Sequence, residues 1–148
     1  MKWLLDTNVI SESVRDRPHH AVLAWIAAQP PEDTAISIVT FAELRDGAST
    51  HRDEVRRRKL TDWVDLKIAH WFRDRTLPLT AEILTDWLQL ARKFRAKGDP
   101  RDAADLLIAA TARIHGLILV SRNTRDFANT GIIVYDPWND RTHRMDSP

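Results

Sequence analysis

The sequence predicts an α/β fold of three layers, α/β/α, with helices on both faces of a mostly parallel central sheet. Three observations predict it. Short apolar runs at Trp3-Leu4-Leu5, Thr34 to Val39, Leu117 to Val120 and Ile132 to Tyr135 alternate with longer stretches of helical period. The runs are almost unbroken in apolar character, as expected of strands covered on both faces. Strands separated by helices need right-handed crossovers, which leave sequential strands parallel. Ligands bind such sheets beyond the carboxyl ends of the strands, so the residues that follow each run are the first candidates for chemistry.

Composition narrows the class. The chain has 148 residues, 43% hydrophobic and 29% charged, which suits one globular domain. It has no Cys, which excludes disulfides, thiolate-bound zinc and iron–sulfur clusters. No apolar run approaches the ~20 residues that span a bilayer. The N-terminal run meets Asp6 too soon for a signal peptide, so a cytoplasmic protein with no membrane segment is expected. A net charge of +1 selects no partner, but its distribution is uneven. Arg92, Lys93, Arg95, Lys97 and Arg101 are opposed only by Asp99, and Arg56-Arg57-Arg58-Lys59 is a second basic cluster. Taken alone, each is an ordinary solvated helix face.

In chain order, Trp3-Leu4-Leu5 is a buried strand that delivers Asp6, and Thr7 or Asn8 caps a short helix through Val9 and Ile10. Pro18 suits the start of a helix with an apolar stripe at Val22, Leu23, Trp25 and Ile26, ended by Pro30-Pro31. After the strand from Thr34 to Val39, Thr40 and Glu43 have the spacing of a capping box, and Gly47 is a stop signal. A charged helical stretch from about Arg52 to Arg73 carries Val55, Leu60, Trp63, Val64, Ile68, Trp71 and Phe72. Leu77-Pro78-Leu79 is an edge strand or extended link, because proline cannot donate to a central ladder. Thr80 caps the next helix, which Gly98-Asp99-Pro100 breaks. The helix from Asp102 to Ala112 is apolar nearly all round after Asp105, hence buried, and Gly116 ends it. Asn123 to Phe127 is a turn or one helical turn between the last two strands, and the polar tail from Pro137 to Pro148 is expected to be loosely held. The expected division is therefore one folded domain over 1–136 and a polar C-terminal tail over 137–148.

The carboxylates are the chemistry-bearing residues. Asp6 abuts an apolar strand, Glu43 starts a helix after the second strand, and Asp105 interrupts the most apolar helix of the chain. Asp102 lies one turn before Asp105, and Asn123 and Asp126 follow the strand ending at Val120. A parallel sheet gathers such element ends on one rim. Several carboxylates on one dry rim repel one another, and a divalent cation relieves that cost. Mg²⁺ and Mn²⁺ prefer hard oxygen ligands, keep several waters and accept substrate phosphate, so hydrolysis of a phosphodiester by an activated water is the matching chemistry. Each acid also has a structural reading: Glu43 as capping-box residue, Asp102 as a helix N-terminal acid, Asp126 as a loop cap.

Four segments together resemble the PIN-domain ribonucleases, specifically the VapC and FitB type of toxin. They are Leu4-Leu5-Asp6-Thr7-Asn8-Val9-Ile10-Ser11-Glu12, Thr40-Phe41-Ala42-Glu43-Leu44-Arg45-Asp46-Gly47, Asp105-Leu106-Leu107-Ile108-Ala109-Ala110-Thr111-Ala112, and Leu119-Val120-Ser121-Arg122-Asn123-Thr124-Arg125-Asp126-Phe127. The resemblance runs from about Leu4 to Asp136. It implies that Asp6, Glu43 and Asp105 are the catalytic, metal-binding acids, with Asp126 or Asn123 as alternative fourth ligands. It further implies Mg²⁺ or Mn²⁺ as cofactor, RNA as substrate, a small antitoxin from the same operon as partner, and a homodimer. Arg122, Arg92, Lys93, Arg95 and Lys97 become candidates for contact with the RNA backbone. Trp63, Trp71 and Trp87 are candidates for core, dimer or antitoxin contacts.

Two other readings compete. A catalytically degenerate PIN-like module would bind RNA or protein without cutting, but all three acids are retained. A haloacid-dehalogenase-like phosphatase also opens on a strand-end Asp, but needs a second acid two residues on, where this chain has Asn8.

Overall fold

In the computed structural model, which describes residues 1–147, six strands form one sheet in the order β3-β2-β1-β4-β5-β6. Pro148, the last residue of the expected tail, lies outside the described residues. β1 (Trp3–Leu5), β2 (Thr34–Ser37), β3 (Thr76–Leu77), β4 (Ile118–Val120) and β5 (Ile133–Asp136) pair in parallel, and β6 (Arg141–Arg144) forms the far edge. Leu4 stands opposite Ala35 on one side and Leu119 on the other. β3 is the two-residue edge expected beside Pro78.

Neighbouring residues along each central strand enter different cores. Leu4, Ala35, Leu119 and Val134 pack with Ile83, Leu90 and Phe94 of α6 (Ala81–Ala96) and with Leu106, Ala109 and Ala110 of α7 (Ala103–His115). Leu5, Ile36 and Val120 pack on the opposite face. There they meet Val9 and Ile10 of α1 (Thr7–Ser11), Leu44 and Ala48 of α3 (Ile38–Ser49), and Val64 and Ile68. Side chains alternate across a strand, so a continuous apolar run is what a sheet covered on both faces requires. The three-layer expectation is met. α2 (His20–Ala28) adds Trp25, whose ring meets Trp3 edge-on at 5.1 Å and Tyr135 at 5.2 Å.

Several local expectations hold. Thr80 caps α6 by accepting from the Ile83 N–H, Asp102 caps α7, and Gly116 ends α7 in the left-handed region at φ 63°. Others are corrected. β2 ends at Ser37, whose hydroxyl accepts from the Val39 N–H and caps α3. Thr40 is therefore buried within the first turn of α3, Glu43 lies beyond the reach of any capping box, and Gly47 does not stop the helix, which continues to Ser49. Asp6, rather than Thr7 or Asn8, caps α1. The stretch expected as one helix from Arg52 to Arg73 divides into α4 (Glu54–Asp62), a π-helical segment (Trp63–Ile68) and a last turn, α5 (Ala69–Trp71).

The expected loose tail is the largest correction. β6 (Arg141–Arg144) pairs antiparallel with β5, Ile133 opposite Arg144 and Asp136 opposite Arg141. Asp136 builds the connection by accepting from the backbone N–H groups of Trp138 and Asn139 and from the Asn139 amide. Polar composition hid this strand, because an edge strand exposed to solvent has little apolar surface to bury.

Candidate active site

From β1 the sheet grows toward β2 and β3 on one side and toward β4 and β5 on the other. The β1–β4 boundary is thus the point where strand order reverses, the usual place for a site in an open parallel sheet. Asp6 sits on that boundary, its N–H bonded to the Val120 carbonyl at 3.0 Å.

Asp6 is only 6% exposed. One carboxylate oxygen, Oδ1, accepts from the Thr7 N–H at 2.8 Å. The other accepts from Ser121 Oγ at 2.7 Å and from Asn8 Nδ2 at 3.3 Å. Burial pushes the carboxyl above its ordinary value although these donors pull it down, and the Asp126 charge pushes it further up. Ser121 is buried at the end of β4 and also accepts from the amide of Asn8 and the N–H of Asn123. Asn8 accepts in turn from the Arg122 N–H at 3.1 Å. Asn8 and Ser121 therefore tie the loop after β4 to the first acid.

Glu43 faces Asp6 from α3. Thr7 Oγ1 donates to its Oε1 at 2.9 Å, which bridges α1 and α3. Its carboxyl is raised first by partial burial, against the Thr7 bond, and then by the charges of Asp6 and Asp102. Asp105 lies in the first turn of α7, where its N–H is held by Asp102 Oδ1 at 3.0 Å. Its carboxyl is pushed up to about 7, first by burial and then by Asp102, Asp126, Asp6 and Glu43. Asp126 and Asn123 are exposed on the loop after β4. Of these two, Asp126 is the one whose charge acts on both Asp6 and Asp105.

Five carboxylates thus share one rim, and every charge acting on Asp105 there is negative. The donor set is hard oxygen and its negative charge is uncompensated, which fits a divalent cation. Among the described residues, no group of three or more His, Asp or Glu side chains stands ready to hold a metal ion by itself. An open rim suits Mg²⁺, which keeps several waters and takes one or two carboxylates directly, better than a closed protein cage would.

The basic candidates divide. Arg122 is exposed beside the site, its guanidinium 5.5 Å from the ring centre of Trp138. Arg92, Lys93, Arg95 and Lys97 are exposed at the C-terminal part of α6, and among the described residues none forms an ion pair. Residues 97–102 lead from that end directly to α7 and Asp105. Arg101 fastens this link to the site loop by donating to the carbonyls of Asp126 and Ala128 at 3.3 and 3.1 Å. The positioning roles of Thr7, Asn8 and Ser121 had one sequence signal: each stands within a few residues of the end of a strand that stops at the rim. Of the three Trp singled out, Trp71 is 53% exposed, whereas Trp63 and Trp87 are half-buried.

The PIN domain family matches residues 3–133. Toxin FitB of Neisseria gonorrhoeae is 35% identical over 137 residues, 93% of this chain and 99% of that protein. The VapC ribonuclease Y4jK of Sinorhizobium fredii is 35% identical over 135 residues, 91% of this chain and 96% of that protein. The crystal structure of FitAcB from Neisseria gonorrhoeae matches with a TM-score of 0.85 at 34% identity, covering 92% of this chain and 98% of that one. With the rim of acids at the sheet's reversal point and the family match over nearly its whole length, this chain belongs to the PIN-domain family.

Proposed function

We propose that this protein is a metal-dependent endoribonuclease and the toxin of a toxin–antitoxin pair. The observation that carries the reading is the crowding of Asp6, Glu43, Asp105, Asp102 and Asp126 on one rim, where burial first and the neighbouring carboxylates second push the Asp105 carboxyl up to about 7 with no cationic side chain to balance it. A fold gains nothing in stability from such a cluster, so it is retained for chemistry. The ribonuclease activity named for the Sinorhizobium relative is the chemistry such a rim suits. Asp6, Asp105 and Glu43 would hold Mg²⁺ or Mn²⁺, one or two of them directly and the rest through its waters, with Asp126 or Asn123 as the fourth partner. When bound, the ion supplies a lowered pKa for the attacking water and charge stabilisation at the phosphate.

The chain's own residues then orient the reaction. Ser121 and Asn8 hold Asp6 in one rotamer, and Thr7 holds Glu43. The half-buried Asp105 carboxylate orients the attacking water by hydrogen bonding. Arg122 and the cations at the end of α6 lie where an RNA backbone entering the rim meets positive charge. A nuclease active inside its own cell needs a restraint, which supports the antitoxin partner implied by the FitB and VapC resemblance. Leu84 and Leu88, one turn apart on α6 and 37% and 53% exposed, offer an apolar stripe for a homodimer. Among the described residues no helix is long and apolar enough to cross a membrane.

The test is a cleavage time course on a panel of tRNA and structured RNA, in Mg²⁺, Mn²⁺ and EDTA, for the parent and Asp6→Asn. Cutting that needs both metal and Asp6 is expected. No cutting together with no Mn²⁺ binding would favour the degenerate binding module instead.

A further inference from the structure

Arg101 stands in the link between α6 and α7, directly before Asp102, whose carboxylate caps α7 at the Asp105 N–H. By sequence it closes the basic run that starts at Arg92. Its side chain is only 16% exposed, however, whereas Arg92, Lys93, Arg95 and Lys97 are exposed. Its guanidinium lies over the buried ring of Phe94, 4.3 Å from the ring centre, so a core residue fixes its place. Nε and Nη2 engage Oδ2 of Asp99 at 2.9 and 2.8 Å, and the bond holds that carboxyl below its ordinary value. Nη1 donates to the carbonyls of Asp126 and Ala128. The charge is thus balanced by Asp99, and the remaining nitrogen holds the loop after β4 by the backbone of an acid. That loop has two further anchors. The Asn123 N–H donates to Ser121 Oγ, and Phe127 is fully buried.

We propose that Arg101 is a positioning residue of the metal site: it fixes the loop after β4 against the start of α7, so that Asp126 serves the same cation as Asp105. The inference rests on the metal-dependent reading above and takes Asp126, rather than Asn123, as the fourth partner. Arg101 grips the main chain of Asp126 itself while its own neighbour, Asp102, holds the backbone of Asp105. One residue therefore couples two acids that come from different elements. The Asp126 charge acts on both Asp6 and Asp105, so the placement of this loop bears on the whole rim. The guanidinium is not a counter-ion for the acids, since every charge acting on Asp105 is negative. Nor is it free for RNA, because all three of its nitrogens are engaged. The sign of the effect separates the roles. By Coulomb attraction alone, loss of Arg101 strengthens cation binding, since it removes a positive charge and bares Asp99. Loss of positioning weakens it.

The test is Mn²⁺ binding, measured by titration calorimetry on metal-free protein. No RNA is present, so a phosphate contact contributes nothing to the result. The proteins are the parent, Arg101→Gln, Arg101→Lys, Asp126→Asn, and Arg101→Gln combined with Asp126→Asn. Arg101→Gln is expected to weaken Mn²⁺ about tenfold, the lower end for groups that orient metal ligands. In the Asp126→Asn background the same substitution is expected to change affinity by less than about twofold, because the carboxylate it positions is gone. Arg101→Lys keeps the charge but loses the planar fork, and is expected to lose affinity a few-fold. The metal-free melting temperature should fall equally on Arg101→Gln in both backgrounds, so general loosening cannot produce the difference between them. Unchanged or tighter Mn²⁺ binding by Arg101→Gln overturns the proposal, as does equal weakening in both backgrounds. Asp126→Asn that binds Mn²⁺ like the parent overturns it as well and gives the fourth position to Asn123. Each of these results leaves the nuclease reading standing. Should Arg101→Gln fail to fold, parental Mn²⁺ affinity in Arg101→Lys overturns the proposal and a few-fold loss upholds it. A parent that binds no Mn²⁺ overturns this proposal and the metal-dependent reading together.

Discussion

Asp6 holds two roles in one carboxylate. Oδ1 caps α1 through the Thr7 N–H, while Oδ2 is gripped by Ser121 and Asn8 and aligned with the other acids. Removing the Ser121 hydroxyl frees Oδ2 without opening the core. Ser121→Ala is therefore expected to lower cleavage about 10–100-fold, in the manner of groups that orient metal ligands, while Ser121→Thr restores most of it. Equal rates for Ser121→Ala and the parent would remove Ser121 from the mechanism. Asp105 makes a pH-dependent prediction. Its folded carboxyl titrates near 7, above its ordinary value, so the metal-free fold is penalised as pH rises out of the ordinary aspartate range, fully so above about 7. Asp105→Asn should raise the melting temperature by about 1–3 °C at pH 8, allowing for solvent screening, and leave it unchanged at pH 4. Saturating Mg²⁺ should stabilise the parent by about 2.7 kcal/mol at a hundred times its dissociation constant, and Asp105→Asn far less. Thermal melts across pH and Mg²⁺ measure both effects.

At the scale of the element, the site depends on how helices and turns are fastened. The loop that carries Asp126 is bordered by Gly131, at φ 80°, where an added Cβ lies 2.8 Å from Arg113 Nη1. That guanidinium holds the Thr130 carbonyl and pairs with Asp86 of α6 at 3.0 Å, so it has little freedom to retreat. Gly131→Ala should cost about 1–3 kcal/mol, read as a lowered urea midpoint at unchanged slope. The helix ends at Thr80, Asp102 and Gly116 were legible in the sequence, because a cap is chosen by the chemistry of one or two adjacent residues. The start of α3 was not. Ser37 and Thr40 are both competent caps, and burial of Ile36 in the sheet, immediately before Ser37, decides for Ser37. The π-helical segment was invisible too, since its extra residue per turn keeps Val64 and Ile68 buried at the same four-residue step that an α-helix would use.

For the whole molecule, β6 closes the β5 edge with residues that read as a polar tail. Truncation after Asp136 should lower the melting temperature by several degrees and make unfolding concentration-dependent, because it bares the backbone donors and acceptors of β5. A truncated chain that melts with the parent and stays monodisperse would show that β6 carries no structural role.

The sequence by itself determined the layering and the principal acids. Continuous apolar strands admit only a sheet covered on both faces, and Asp6 and Asp105 stand out because each interrupts apolar surface at an element end. The tertiary structure alone decided what those acids share. The bond from Ser121 to Asp6 and the bond from Asn8 to Ser121 join residues 115 and 113 positions apart in the chain, and Thr7 reaches Glu43 across 36. It also decided that Arg101 meets the carbonyls of Asp126 and Ala128. The physical reason is common to all of these. Local spacing encodes periodicity and caps, whereas contacts between distant segments arise only when the packing of the sheet has fixed which strand ends become neighbours.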